Sequence, residues 1–116
     1  MKKIIFSSII TLSVVGCGAS TTEMRSLESK SYPILGNAQQ SKQCLLDKLN
    51  DFRPDRMLIN ELGERTEIFI GATQAGKFRN FYLFDISSKE IKLSHYDGVF
   101  PALSEQEADS YIKSCQ

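Results

Sequence analysis

Phe78-Arg79-Asn80-Phe81-Tyr82-Leu83-Phe84-Asp85-Ile86 is the stretch on which the fold turns. Aromatic and aliphatic residues crowd it, with no helix-favouring run, so it reads as a strand. Strict alternation puts Phe78, Tyr82, Phe84 and Ile86 on one face and Phe81 with Leu83 on the other. Apolar groups on both faces mark a central strand. Upstream, Arg65 to Ala72 carries Ile68, Phe69 and Ile70 and reads as a second strand, joined to the first by a turn from Thr73 to Lys77 around Gly76. Before it, Met57 to Leu62 makes a strand and Gly63-Glu64 a turn. Downstream, Ser87 to Lys89 turns the chain into Glu90 to Tyr96, where Ile91, Leu93 and His95 alternate with Lys92, Ser94 and Tyr96. Connections this short allow only antiparallel neighbours, because parallel pairing needs a crossover of about a dozen residues. The expectation is a four-stranded antiparallel meander.

Helical signals flank the meander. Asn37 is placed to cap a helix, with Gln40 three residues on able to return the hydrogen bond. Ser41, Cys44, Leu45, Lys48, Leu49 and Phe52 then recur at helical spacing until Pro54. At the other end Ser104-Glu105-Gln106-Glu107 is a capping box, and Glu105, Glu107 and Asp109 complement the positive helix start. Ala108, Tyr111, Ile112 and Cys115 fall at i, i+3, i+4 and i+7. The fold class is therefore α+β: helix, four strands, helix, in one domain over residues 37–116.

Charge narrows the functional classes. The 116 residues carry 14 basic and 14 acidic side chains, without the clustered basic excess that nucleic-acid phosphates require. The amino terminus is more specific. Lys2 and Lys3 precede an apolar or small run from Ile4 to Val15, shorter than the roughly 20 residues that cross a bilayer but of signal-peptide length. The run closes on Val14-Val15-Gly16-Cys17. These four residues match the lipobox at every position, and the chain resembles the bacterial lipoproteins.

That resemblance implies diacylglycerol transfer to the Cys17 thiol, cleavage after Gly16, and acylation of the new amino terminus. Two or more acyl chains hold a protein stably at about 0.8 kcal/mol per buried methylene. Gly18 follows the cysteine where inner-membrane lipoproteins of enteric-type bacteria commonly carry Asp, so the expected location is the outer membrane, with the domain in the periplasm. Removal of residues 1–16 takes Lys2 and Lys3 away and leaves a slightly acidic chain. From Cys17 to Gly36 the composition of Ser, Thr, Glu, Lys and Gly reads as a flexible tether, spanning roughly 25 Å. Within it Tyr32-Pro33-Ile34-Leu35 is the one apolar patch. The order from Asn37 to Cys115, with a cysteine in each helix, is similar to small lipoproteins and exported domains of Gram-negative bacteria, a likeness of pattern that carries no functional residues.

With Cys17 acylated, Cys44 and Cys115 remain as an even pair in an oxidising compartment and are expected to form a disulfide; two free buried thiols are the alternative. Two thiols and the single His95 do not complete a zinc site, so no metal is expected. Gly71-Ala72-Thr73-Gln74-Ala75-Gly76-Lys77 matches part of a phosphate-binding loop. Phe78 stands where Ser or Thr is needed, however, and a strand follows where a helix must begin, so a hairpin turn explains it. His95 has no nucleophile or base beside it on its strand face and is expected to pack with Ile91 and Leu93 or at the rim. No enzyme motif and no cofactor signature occurs.

The sequence thus points to a membrane-held, non-enzymatic envelope protein that binds another envelope protein or serves as a structural accessory. Inhibition of a cell-wall or host hydrolase through the loop from Asp97 to Leu103 is one alternative, and binding of a small apolar ligand between helices and sheet is another. Phe100 and Pro101 in that loop are the candidate contact residues.

Overall fold

The computed structural model describes residues 18–116. The apolar run, Gly16 and Cys17 therefore lie outside the described residues. Among the described residues, three α-helices and five strands follow in the order α1 (Thr21–Ser26), β1 (Ser29–Pro33), α2 (Ala38–Lys48), β2 (Met57–Leu62), β3 (Arg65–Gln74), β4 (Lys77–Ile86), β5 (Glu90–His95) and α3 (Glu105–Cys115), with a short 3-10 turn at Asn50–Phe52. All pairings are antiparallel and the sheet order is β1-β5-β4-β3-β2. The meander β2 to β5 is as the sequence predicts. The architecture is α+β, but the sheet has five strands, not four.

The fifth strand comes from the segment expected to be a tether. Ser29–Pro33 pairs along β5, Ser29 opposite Ser94 and Pro33 opposite Glu90. It is an edge strand with one buried side chain, Tyr32, so its composition resembles a linker. It forms because β5 would otherwise present unpaired backbone groups. Upstream, Ser20 caps α1 with a complete capping box to Glu23, and Met24 in α1 is fully buried. Residues 18–36 are part of the fold.

Both longer helices lie on one face of the sheet. Leu45, Leu49, Leu103, Ala108 and Ile112 are buried there against Ile68, Ile70, Tyr82, Phe84, Ile91 and Leu93. Asn37 Oδ1 accepts hydrogen bonds from the Gln39 and Gln40 amides. Ser104 and Glu107 make the expected reciprocal cap. Tyr82 Oη donates to Leu103 O at 2.8 Å, tying the sheet to the loop before α3.

The opposite face holds a smaller cluster of Ala19, Met24, Phe69 and Leu83, with Phe78 and Leu27 packed against it. This arrangement corrects the phase read for β4. Phe78 belongs with Leu83, and Phe81 joins Tyr82 in the main core. The cause is an irregularity in the β3–β4 ladder. Ile70 pairs with Tyr82, but the next residue, Gly71, pairs with Asn80, leaving Phe81 as the extra residue of a bulge. A bulge inserts one residue into one strand and inverts the facing of everything beyond it. Gly71 stands opposite, where a Cβ would lie 1.9 Å from Arg79 O. Only a residue without a side chain permits that approach.

Gly71→Ala is therefore expected to lower the unfolding free energy by about 2 to 3 kcal/mol. Gly36→Ala, with no atom near its Cβ position, should change it by less than about 0.5 kcal/mol. Urea unfolding of the two variants checks the difference.

Candidate functional site

Gly18 and Ala19, the first described residues, are held against β4. Ala19 and Asn80 form an isolated antiparallel bridge, with Ala19 N donating to Asn80 O at 2.9 Å and Asn80 N to Ala19 O at 2.8 Å. Asn80 Nδ2 adds a third bond to Ala19 O at 3.0 Å, and an Arg79 guanidinium N donates to Gly18 O at 3.2 Å. Gly18 has φ +77°, and a Cβ there would meet Arg79 Cβ at 2.9 Å and Phe81 Cε2 at 3.1 Å. Both the left-handed backbone and the close packing call for glycine. The residue that suggested a sorting signal in the sequence thus has a structural reason of its own.

From this bridge α1 runs over the sheet. Arg25 donates to both carboxylate oxygens of Glu67, Nε to Oε2 at 2.9 Å and NH2 to Oε1 at 2.8 Å, and its guanidinium carbon lies 5.6 Å from the centre of the Phe69 ring. Glu67 is 1% exposed. Asn60 Nδ2 reaches it at 3.4 Å and Arg65 at 3.6 Å. The Arg25 hydrogen bonds, outweighing burial, hold the Glu67 carboxyl below the usual carboxylate range. Arg65 Nε also lies 3.1 Å from Asp85 Oδ1, but not along a hydrogen-bonding direction, and that buried oxygen has no hydrogen-bond partner. Desolvation pushes the Asp85 carboxyl up. Arg25, Arg65, Glu67, Asp85 and Lys92 line an open depression of about 270 Å³ beside α1. Three cations face two carboxylates in this lining, and Lys92 also lies 3.8 Å from Glu90 outside it; within the cluster the Arg25–Glu67 pair fastens α1 to the sheet.

The expected disulfide is present. Cys44 of α2 and Cys115 of α3 are bonded across 71 residues, with Cα atoms 5.6 Å apart. The carboxyl-terminal end is clasped further. Tyr32 Oη donates to Asp109 Oδ1 at 2.6 Å. Burial foremost, then this bond, raises the Tyr32 pKa. Gln116 Nε2 donates to Pro33 O at 2.8 Å, and Leu35 N to Gln116 O at 2.9 Å.

The loop from Asp97 to Leu103 divides into an inner and an outer part. Phe100 is half-buried, stacked on Phe81 with centroids 4.7 Å apart and flanked by Phe52 at 6.3 Å. It anchors the loop; it is not the exposed contact residue expected. Pro101 is exposed, as is Val99 at 78%, a residue the sequence reading passed over. His95 stacks on Tyr82 at 4.6 Å and has Nδ1 3.8 Å from Glu105 Oε2. This half-buried rim position agrees with the sequence reading. The Gly71–Lys77 motif forms the end of the β3–β4 hairpin. Gln74 pairs with Lys77 across Ala75 and Gly76, both at positive φ, the backbone of a type I′ turn.

Among the described residues no group of three or more His, Cys, Asp or Glu side chains is placed to hold a metal ion, and no helix is long and apolar enough to cross a membrane. Comparison of the chain with known protein families, with curated proteins and with solved structures finds no match.

Sequence reasoning missed Arg25 and Glu67 because a charged pair 42 residues apart leaves no local pattern. The Ser20-Thr21-Thr22-Glu23 capping box was a legible sign of the helix that carries Arg25.

Two outcomes follow for stability. Replacing both Cys44 and Cys115 by Ala should cost about 4 kcal/mol on the loop-entropy estimate, read from urea unfolding. Arg25→Ala should cost about 1 to 2 kcal/mol at neutral pH, less than for a fully buried charged pair because Arg25 is 43% exposed. Since the folded-state pKa of Glu67 is depressed, this contribution is complete above the unfolded value of 4.5 and fades as pH falls through the lower folded value. The gap between wild type and variant should therefore narrow on acidification.

Proposed function

We propose that the chain is a lipid-anchored protein of the bacterial envelope, held at the outer membrane through Cys17, whose domain faces the periplasm and serves as a non-catalytic binding or structural module. The observation that carries the reading is the lipobox Val14-Val15-Gly16-Cys17 behind a basic start and a short apolar run. The Cys44–Cys115 disulfide supports it, because such bonds persist in oxidising compartments. In the domain itself, several carboxylates are bound by neighbouring side chains. Glu67 is bound by Arg25, Asp109 by Tyr32 and Lys113, and Glu61 by Lys42 and Thr66. His95 is stacked on an aromatic ring. The space between helices and sheet is filled by side chains of zero or near-zero exposure, including Leu45, Leu49, Leu103 and Ile112, which gives no support to an apolar ligand lodged there.

One feature favours inhibition of a hydrolase as a second reading. Val99 and Pro101 stand outward beside a Phe100 anchored in an aromatic stack, which gives a braced loop with an apolar exposed residue. Assay against lysozymes and proteases separates the two readings, and a Val99→Asp variant that kept full inhibitory activity would rule out this loop as the contact.

The first test is on the anchor. In a Gram-negative host the chain should fractionate with membranes and need detergent for release, and its amino-terminal peptide should carry the mass of a diacylglyceryl group on Cys17. Cys17→Ser should bring the protein into aqueous extracts. Unmodified Cys17 in protein recovered from the cytosol would overturn the proposal. Crosslinking of the lipidated protein in cells then identifies what it binds.

A further inference from the structure

The anchor leaves almost no free chain between lipid and domain. Gly18 is buried, and its carbonyl is bound by Arg79, one residue before the Ala19–Asn80 bridge. Cys17 is one peptide bond, about 3.8 Å between Cα atoms, from Gly18. Acyl chains on Cys17 therefore bring the sheet to the bilayer surface at Arg79 and Asn80, without the stand-off that a tether would provide. This inference rests on the lipid-anchor reading.

What surrounds that point is unlike the rest of the surface. Beyond the Ala19–Asn80 bridge, among the described residues, β3 and β4 run on past the other strands, because β2 ends opposite Ile70 and β5 opposite Tyr82. The four pairs from Gly71–Asn80 to Gln74–Lys77 form a two-stranded ribbon about 10 Å long, at 3.3 Å per residue. Such a ribbon has little independent stability in water. It contains Lys77 and Arg79 and no acidic residue, whereas the chain as a whole is balanced. The loop carrying Val99 lies at the same end. Tyr96 N donates to Phe81 O, and one Phe81 ring lies 3.1 Å from the Cβ positions of both Gly18 and Gly98. The opposite end of the sheet bears the β4–β5 turn at Ser87–Lys89. There Ile34 N donates to Lys89 O, and Leu35, next along the chain, is 78% exposed. Along β4 the two ends are about 30 Å apart.

We infer that the Gly71–Asn80 ribbon and Val99 form a second, non-covalent contact with the bilayer. Lys77 sits among the lipid phosphates and Val99 at the apolar boundary, which turns the β4–β5 end and Leu35 away from the membrane. The attraction of one lysine to an anionic surface is too weak to hold the domain alone but enough to orient a module already pinned one residue away.

The chain has no tryptophan, so single probes report position directly. Gln74→Trp, Val99→Trp and Leu35→Trp, all at exposed sites, are expressed as full-length chains, purified with their acyl groups and reconstituted into vesicles of phosphatidylethanolamine and phosphatidylglycerol. A fraction of the phosphatidylethanolamine carries a headgroup dansyl acceptor. Energy transfer from Gln74→Trp and Val99→Trp should exceed that from Leu35→Trp several-fold. Val99 and Leu35 are equally exposed, so the contrast reports orientation rather than accessibility. Equal transfer from all three in protein whose acyl mass is verified would overturn the orientation while leaving the anchor intact. Absence of the acyl mass would overturn both.

Discussion

The sheet must be covered on both faces, and this constraint shapes the rest of the molecule. Ile68, Ile70, Tyr82 and Phe84 point to one side, and Phe69 and Leu83 to the other. Two helices with short loops can shield only one side. Leaving Phe69 and Leu83 in water would forfeit about 1.5 to 3 kcal/mol for each side chain. The residues that shield them are Ala19 and Met24, brought from the extreme amino-terminal end of the described chain and fastened by Arg25 to the buried Glu67. A segment with the composition of a linker is thereby drawn into the fold, and the residue after the proposed lipid attachment site becomes part of the sheet surface.

The same economy operates on the helical side. The chain passes from β1 at one edge of the sheet, through α2, to β2 at the other edge, a long excursion that loop entropy opposes. Three links close it: the disulfide between α2 and α3, the Tyr32–Asp109 hydrogen bond from β1 to α3, and the backbone bond from Leu35 to Gln116. All three converge on α3 or on Gln116 just past its end, and the helix is firmly capped at its start. A helix that three long-range links depend on must form reliably, and Ser104 with Glu107 satisfies its first free amides.

The sequence was readable where one element carries its own signal. The meander followed from short turns between apolar runs, the helices from spacing and caps, and the cysteine pair from parity and placement on apolar helix faces. It misled where a signal depends on a distant partner. Strand β1 has one buried residue in five, because an edge strand is defined by its neighbour's unpaired backbone rather than by its own side chains. The facing of Phe78 and Phe81 inverted at a bulge that leaves Gly71 as its only local trace. Phe100 seemed free in the sequence, since its partners Phe52 and Phe81 come from other elements.

By itself the sequence determined the α+β class, the antiparallel order of the four central strands and the two capped helices, because periodicity, turn length and capping act within about a dozen residues. It also contains Val14-Val15-Gly16-Cys17, the local pattern on which the proposed anchoring rests. Only the tertiary structure decided that residues 18–36 fold, that the sheet has a fifth strand, and that Arg25 meets Glu67. Each of these depends on covering an apolar face or satisfying a buried group contributed from far along the chain, and such needs arise only once the sheet exists.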